Sequence, residues 1–297
     1  FYPMYVAAEN VIGDVEGVTL ENLSEPQTGC LHDYQLTAAD MKLLSKADVF
    51  IVNGGGIESF LSDVAESYPN LKIVQACDGI DLLESAEGSE ESHSHGSDSD
   101  TDTDSEEHLH ENEDADHDDH DHSEHSHGDE NAHAWMNLAD YQIQVQNICN
   151  GLSEADSAHA EQYAKNAQTY QEKVQELQQE AAELASQIAS QPVVIFHEAY
   201  EYIAQEYGLQ LAGEMNLDEE RQVSAGEVAD ILHAIEDNHV SVVLAEELYG
   251  TDMGEMVAKQ SGVKVVYLDT LTRGDYSADS YLEGMRNNIK QLKEAFQ

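Results

Sequence analysis

Short apolar runs alternate with amphipathic, helix-like segments along the first part of the chain. The apolar runs VTLENL, DVFIVNG and KIVQAC are separated by the helix-like segments TAADMKLLSKA and GIESFLSDVAESY. This alternation is typical of βαβ units, in which a helix connects two parallel strands. The pattern therefore predicts an N-terminal α/β lobe over residues 1–152.

A second alternating series begins at Pro192. Its apolar runs are VVIFH, LQLAGEM, VSVVLAEE and VKVVYLD, and the segments between them, such as AYEYIAQEYG and SAGEVADILHAIEDN, are helix-like. A final amphipathic segment, ADSYLEGMRNNIKQLKEAF, predicts a helix near the C-terminal end. Residues 192–297 are therefore predicted to form a C-terminal α/β lobe.

A polar stretch rich in Gln, Glu and Ala joins the two series. It lacks internal Gly and Pro, and its apolar residues recur at spacings of three and four: Tyr163, Ala167, Tyr170, Val174, Leu177, Ala181, Leu184 and Ile188. This spacing predicts one amphipathic helix of roughly 35 residues, which we assign to residues 153–191. The expected fold is thus α/β, with two parallel-sheet lobes joined by a rigid helix and a binding site at strand ends in the cleft between them.

Charge distinguishes one segment of the first lobe. The chain has 61 Asp and Glu residues against 12 Lys and Arg, a net charge of −49 that excludes nucleic acid as a partner. Residues 87–130 consist mainly of Asp, Glu, Ser and His, so they cannot bury enough apolar surface to fold, and we predict a disordered insertion. Its nine histidines indicate additional weak Zn²⁺ binding, and the alternative is a solubilising linker with incidental histidines.

Neither a membrane segment nor a cysteine framework is indicated. No apolar run approaches about 18 residues, and because FYPMYVAAEN does not look like a signal peptide, we expect that any targeting peptide has already been removed. The cysteines, Cys30, Cys77 and Cys149, are too few and too far apart for a disulfide framework or a CxxC zinc site. At most one bridge can form.

Three histidines lie where a predicted strand is followed by a loop. They are His32 in TGCLHDYQLT, His133 in ENAHAWMN and His197 in VVIFHEAY. Each alone is more often a structural residue than a ligand, but ligands of α/β sheets bind at strand ends, so the coincidence of three predicts a site. The other histidines outside the insertion fall in polar helical patterns or at a helix end and are assigned to the surface: His159, His233 and His239.

Asp269 ends the last predicted strand, VKVVYLD, and is the candidate fourth ligand. Three imidazoles and a carboxylate suit Zn²⁺ better than magnesium or calcium, which prefer oxygen ligands. The alternative for Asp269 is a cap or turn residue before TLTRGD. Glu246 and Glu247 end the strand VSVVLAEE and are candidates to accept hydrogen bonds from imidazole N–H groups, not to bind the metal.

A zinc hydrolase is the enzymatic alternative. In such an enzyme three histidines would leave one position on the metal for an activated water. A hydrolase also needs a general base, and the chain contains no HExxH or comparable pair. We therefore predict a binding protein and not an enzyme.

Several segments resemble the zinc-specific metal-binding receptors (substrate-binding proteins, cluster A-I) of bacterial ABC importers. They are FYPMY, HDYQLTAADMKLLSKADVFIVNGGGIESFL, NAHAWMN, VVIFHEAYEYIAQEYGL and AEELYGTDMGEMVAKQSGVKVVYLDTL, which cover almost the whole chain except the insertion. The resemblance implies two lobes around a rigid helix, and it implies that the histidines of three family motifs bind the metal. The histidine of the H-D-Y-x-L motif falls on His32, that of the D-x-H-x-W motif on His133 and that of the F-H-x-A-Y motif on His197. Related manganese and iron receptors carry a carboxylate at the position of His197, so a third imidazole favours zinc.

The resemblance also implies a function. We expect a monomeric extracytoplasmic receptor, periplasmic or lipid-anchored at the outer face of the cytoplasmic membrane, that captures Zn²⁺ and delivers it to the permease of an ABC transporter. A manganese or iron receptor of the same family and a surface protein that buffers metal or mediates adhesion remain as alternatives. The fourth ligand varies within the family among water, a carboxylate near the last strand and another acid, so Asp269 stays a candidate.

The chain departs from the family pattern at three points. The strand expected before FYP is not in the sequence, EERQVSAGE stands where relatives often have E-E-P-S, and the second lobe has no cysteine and hence no disulfide. In the first lobe a Cys30–Cys77 bridge is weighed against two buried thiols.

Overall fold

The computed structural model describes residues 1–24, 34–84, 130–217 and 223–297. His32, Cys30 and the predicted insertion up to Asp129 lie outside the described residues. The elements in chain order are α1 (Tyr2–Ile12), α2 (Ala38–Leu44), β1 (Val49–Val52), α3 (Leu61–Ser67), β2 (Lys72–Gln75), β3 (Leu83–Glu84), β4 (Glu130–Asn131), α4 (Leu138–Ala155), α5 (Ala160–Ile188), β5 (Pro192–Ile195), α6 (Ala199–Tyr207), β6 (Gln210–Glu214), α7 (Ala225–Asp237), β7 (Val242–Ala245), α8 (Glu247–Ser261), β8 (Lys264–Tyr267) and α9 (Ser280–Ala295).

Four parallel strands form the sheet of the second half, in the order β6-β5-β7-β8. Both faces of a parallel sheet are usually buried, so successive residues of a strand pack into two different cores. Val193 and Ile195 of β5 belong to a core shared with α5, α6 and α9, whereas Val194 packs with residues of α7 and α8. The α/β alternation predicted for this half is confirmed.

The described part of the first half contains two separate two-stranded sheets. Strands β1 and β2 pair in parallel from Val49↔Lys72 to Val52↔Gln75, and β3 pairs antiparallel with β4. The prediction of a strand at VTLENL is wrong, because this segment has no regular structure. The Asn22 side chain donates to Ser24 O, a local bond of the kind that competes with pairing between strands.

The long helix is present but shorter than predicted. All eight apolar positions named for it are buried in α5, which has 29 residues. The helix begins only at Ala160, because a non-helical turn separates it from α4. In this turn Asp156 Oδ2 lies 2.6 Å from His159 Nδ1 and accepts from Tyr163 Oη at 3.0 Å. Helix α5 packs against α1, α4, α6 and α9 and so contacts both halves of the chain. The boundaries of the lobes, at residues 152 and 191, stay a prediction.

Two helices, α1 and α4, were not predicted from the pattern. Most residues of α1 are buried, so it lacks the polar stripe that marks a surface helix. Helix α4 contains the alternating string QIQVQ, which has the period of a strand, yet Asn137 Oδ1 caps its first turn by accepting from Ala139 N and Asp140 N. None of the described helices is long and apolar enough to cross a membrane.

Cys77 is a buried free thiol. Gln144 Nε2 lies 3.1 Å from its Sγ, and burial raises the pKa of Cys77 to about 12. Of the two alternatives, a bridge to Cys30 and a buried thiol, the structure shows a buried thiol at Cys77. Cys30 lies outside the described residues.

Candidate metal centre

His133 is completely buried and lies two residues after the end of β4. Its ring packs against Trp135, with the ring centroids 4.9 Å apart. Trp135 Nε1 donates to Thr270 O at 2.9 Å, and Tyr281 Oη donates to Trp135 O at 2.6 Å. The loop that carries His133 is therefore attached to α9 and to the loop that follows β8.

The Nδ1 atom of His133 faces oxygen atoms. It lies 2.9 Å from Asn131 Oδ1 and 3.4 Å from Glu198 Oε1. Asn131 is buried as well, and its Nδ2 donates to Glu198 O and to Glu201 Oε2, both at 2.9 Å. These acceptors hold His133 against the N-terminal turn of α6.

His197 follows β5 and is half-buried. Its Nδ1 accepts a hydrogen bond from Ala199 N at 3.0 Å, at the start of α6. The rings of His197 and His133 lie edge to face, with centroids 5.1 Å apart. The structure thus brings together two of the three predicted imidazole ligands, although they are distant in sequence.

Asp269 follows β8, and Glu246 follows β7, at the same edge of the sheet as His197. Since β7 lies between β5 and β8, two strand spacings of about 5 Å each separate His197 from Asp269. Tyr200 Oη spans part of this distance, because it lies 3.2 Å from Ala245 O and 2.7 Å from Leu268 O. The carboxyl edge therefore gathers polar groups, as expected for a parallel sheet.

Both carboxyl groups at this edge make hydrogen bonds within the protein. Asp269 Oδ1 accepts from Leu271 N at 2.8 Å, which is the bond expected of a turn residue and uses one of its two oxygens. Glu246 Oε1 accepts from Thr270 Oγ1 at 3.0 Å. Burial raises the pKa of each carboxyl group above its ordinary value.

The predicted ligand set is only partly within the described residues. Among residues 1–24, 34–84, 130–217 and 223–297, no group of three or more His, Cys, Asp or Glu side chains is placed to hold a metal ion. His32 lies outside these residues, so the site of three histidines and Asp269 stays a prediction. The histidines assigned to the surface lie elsewhere: His233 and His239 are exposed, and His159 is half-buried beside Asp156.

Sequence reasoning missed a group of acids beside His133. Glu198 and Glu201 lie near the start of α6, and Glu214 ends β6 next to them. Burial raises the pKa of Glu214 to about 8, with a smaller contribution from Glu201. The spacing of Glu198 and Glu201 by three residues, directly after His197, was the available signal, because it places both on one face of a helix.

Comparison with known proteins identifies the family. The family model described as ZnuA, zinc-uptake complex component A, periplasmic, matches residues 1–295. The chain belongs to this family. Its members are metal-binding receptors of ABC importers, and the chain is accordingly a transport receptor and not an enzyme.

Individual relatives of this receptor are named for different metals. The high-affinity zinc uptake system protein ZnuA of Brucella abortus is 32% identical over 287 residues, which are 94% of this chain and 86% of that protein. The iron-binding protein YfeA of Yersinia pestis is 26% identical over 294 residues, or 97% and 82% of the two chains. The substrate-binding protein FpvC of Pseudomonas aeruginosa, solved with Mn²⁺, matches 100% of this receptor and 96% of its own chain with a TM-score of 0.77; at 23% identity it shows the shared fold.

Proposed function

We propose that this receptor captures Zn²⁺ outside the cytoplasm and delivers it unchanged to the permease of an ABC transporter. His32, His133 and His197 are the proposed imidazole ligands, and Asp269 is the fourth. The receptor acts as a monomer, either in the periplasm or anchored by lipid at the outer face of the cytoplasmic membrane. The insertion, residues 87–130, binds further Zn²⁺ weakly.

The observation that carries this proposal is the pair of rings formed by His133 and His197, which are 5.1 Å apart. The two histidines come from opposite halves of the chain and meet at the carboxyl edge of the second sheet. Imidazole nitrogen is a good ligand for zinc, whereas manganese prefers carboxylate oxygen. Two imidazoles in contact therefore favour zinc, and similarity to the zinc-uptake protein ZnuA supports the same choice.

An iron or manganese receptor is the second candidate. Similarity to the iron-binding protein YfeA supports it. So does the local supply of oxygen ligands, because Glu198 lies 3.4 Å from His133 and Asp269 follows the last strand. The two candidates predict different orders of affinity among Zn²⁺, Mn²⁺ and Fe²⁺.

Titration of the full-length, metal-free protein with each ion tests the proposal. We expect one tight Zn²⁺ site, and we expect His197→Ala to weaken zinc binding by more than about 100-fold. Loss of a residue that only hydrogen-bonds to a metal ligand already lowers metal affinity by about 10- to 100-fold. His239→Ala is the control, because His239 is exposed and precedes β7, whereas His197 follows the parallel strand β5 and so lies at the opposite edge of the sheet. Unchanged zinc affinity in His197→Ala would contradict the site.

A second variant separates the metals. His197→Glu replaces nitrogen by oxygen and is expected to lower the preference for Zn²⁺ over Mn²⁺. The same preference in the variant and the wild type would show that His197 does not determine which metal is bound. Tighter binding of Mn²⁺ or Fe²⁺ than Zn²⁺ by the wild type would favour the second candidate.

A further inference from the structure

The hydrogen bonds of Asn131 fix the orientation of its side-chain amide. Asn131 Oδ1 accepts from His133 N at 3.1 Å, and a backbone N–H group can only donate. The other end of the amide, Nδ2, lies 2.9 Å from Glu198 O and 2.9 Å from Glu201 Oε2, a carbonyl and a carboxylate oxygen. Exchanging the amide oxygen and nitrogen would place acceptor against acceptor and donor against donor, so the assignment follows from the network.

This orientation determines the tautomer of His133. Its Nδ1 lies 2.9 Å from Asn131 Oδ1, which is an acceptor, and 3.4 Å from Glu198 Oε1, which is also an acceptor. Nδ1 must therefore carry a proton and donate it. In a neutral imidazole the second nitrogen, Nε2, then carries the lone pair, which is the form that binds a metal.

We propose that Asn131 is a positioning residue that holds His133 in the Nδ1–H tautomer and turns its Nε2 lone pair toward the metal. The inference rests on the proposed function and deepens it. A partner that fixes the orientation and tautomer of a histidine ligand commonly strengthens metal binding by about 10- to 100-fold. Here the partner of His133 is the neutral side-chain amide of Asn131, and Glu201 Oε2 accepts a hydrogen bond from the Nδ2 atom of that amide.

The same contacts relate the two histidine ligands to each other. Tyr202 Oη donates to Asn131 O at 2.6 Å, so α6 holds Asn131 through Glu198, Glu201 and Tyr202. Helix α6 begins two residues after His197. Asn131 thus attaches His133 to the helix that is continuous with His197, and it helps to set the spacing between the two rings.

Nitrogen-15 NMR of the full-length, metal-free protein tests the tautomer, and zinc titration tests its consequence. We expect the wild type to show Nδ1–H at His133. Asn131→Ala should mix the tautomers and weaken Zn²⁺ binding by about 10- to 100-fold. Asn131→Asp alone would set a second carboxylate oxygen against Glu201 Oε2, so the rescue variant combines it with Glu201→Gln, whose amide can donate to that oxygen. This double variant keeps an oxygen beside Nδ1 and should preserve the tautomer and bind zinc more tightly than Asn131→Ala.

Asn147→Ala is the matched control for loss of a structural amide. Asn147 Nδ2 donates to Ala76 O and to Asp78 O, both at 2.8 Å, so these bonds join α4 to the loop after β2. This variant should lower the melting temperature without changing the His133 tautomer or the zinc affinity. If Asn131→Ala behaved like this control, the inference would be overturned, because the role of Asn131 would then be structural alone.

Two further outcomes remain decisive if Asn131→Ala does not fold. An Nε2–H tautomer at His133 in the metal-free wild type would overturn the inference without any variant. A wild type with the Nδ1–H tautomer but no affinity for Zn²⁺, Mn²⁺ or Fe²⁺ would overturn the proposed function, while the tautomer would still support the control of His133 by Asn131.

Discussion

His133 and His197 lie edge to face at an interplanar angle of 89°, and their Nδ1 atoms have opposite hydrogen-bonding roles. His133 Nδ1 faces the acceptor Asn131 Oδ1, whereas His197 Nδ1 accepts from Ala199 N. A neutral imidazole has one proton. The first ring is therefore in the Nδ1–H form suited to binding a metal through Nε2, and the second ring is in the Nε2–H form.

Zinc binding is expected to change the tautomer of His197 and not that of His133. A metal at His197 Nε2 requires a proton on Nδ1, which would then face the N–H group of Ala199, so the ring must turn or move away from this amide. In NMR spectra, His197 should change from Nε2–H to Nδ1–H on addition of Zn²⁺, and the Ala199 amide signal should shift strongly. An Nδ1–H form of His197 before zinc is added would contradict this prediction.

The sequence was most informative where a pattern is local. The spacing of apolar residues located the buried face of α5, because that face repeats within one helix. It did not locate the start of α5, where a single side chain, Asp156, organises a break. Nor did it find α1, whose apolar residues are buried on most sides.

Long-range contacts limited the prediction of the site. His133 and His197 were found because strand ends in α/β folds carry ligands, which is a rule of topology. Asn131 was not found, since its bond to Glu201 joins residues 70 positions apart and an asparagine in a loop is common. The sequence also contained no signal for the bond from Thr270 Oγ1 to Glu246 Oε1, and the role of Glu246 as an acceptor for an imidazole stays a prediction.

Asp269→Asn distinguishes a metal ligand from a turn residue. Asn keeps an oxygen that accepts from Leu271 N but is a weaker ligand than a carboxylate, so zinc affinity should fall by at least about 10-fold with little change in melting temperature. Asp275→Asn is the matched control, because Asp275 Oδ1 accepts from Ser277 N in the same way on an exposed loop. Equal zinc affinity in both variants would show that Asp269 acts only in the turn.

Glu206 is expected to make stability depend on pH near neutrality. Burial raises the pKa of Glu206 to about 7, and its Oε2 has no hydrogen-bond partner among the described residues. Because the pKa of Glu206 is higher in the folded protein than in the unfolded chain, this carboxyl group contributes most to the free energy of unfolding below about pH 4.5. The contribution is lost as the pH rises through about 7.

Glu206→Gln should remove that loss, because Gln stays neutral and can still accept from Leu138 N. At pH 8 the variant should be more stable than the wild type by roughly 1 to 3 kcal/mol, at about 1.4 kcal/mol per pKa unit, and the difference should shrink toward pH 5. Urea unfolding of metal-free protein measures it. The exposed Glu176→Gln should follow the wild type, and a difference at Glu206 that is independent of pH would contradict the assignment.

The stem of the histidine-rich insertion allows it to be removed without disturbing the sheet. Glu84 pairs with Glu130 and Leu83 with Asn131 in an antiparallel ladder, so the described residues on either side of 85–129 are adjacent. A two-residue Asn-Gly turn in place of residues 85–129 suits this geometry, because such turns close antiparallel pairs. The replacement leaves Asn131 and His133 in the chain.

This shortened protein should bind fewer Zn²⁺ ions, while the affinity of the tight site should change little. If the insertion is disordered, each site within it loses conformational entropy when it forms, so each should be weaker than a preorganised site. Replacing its nine histidines by serine at full length is the control that keeps length and negative charge. Zinc stoichiometry should fall in both proteins, whereas an unchanged stoichiometry would make the insertion a linker, and loss of the tight site in both would place one of these histidines among its ligands.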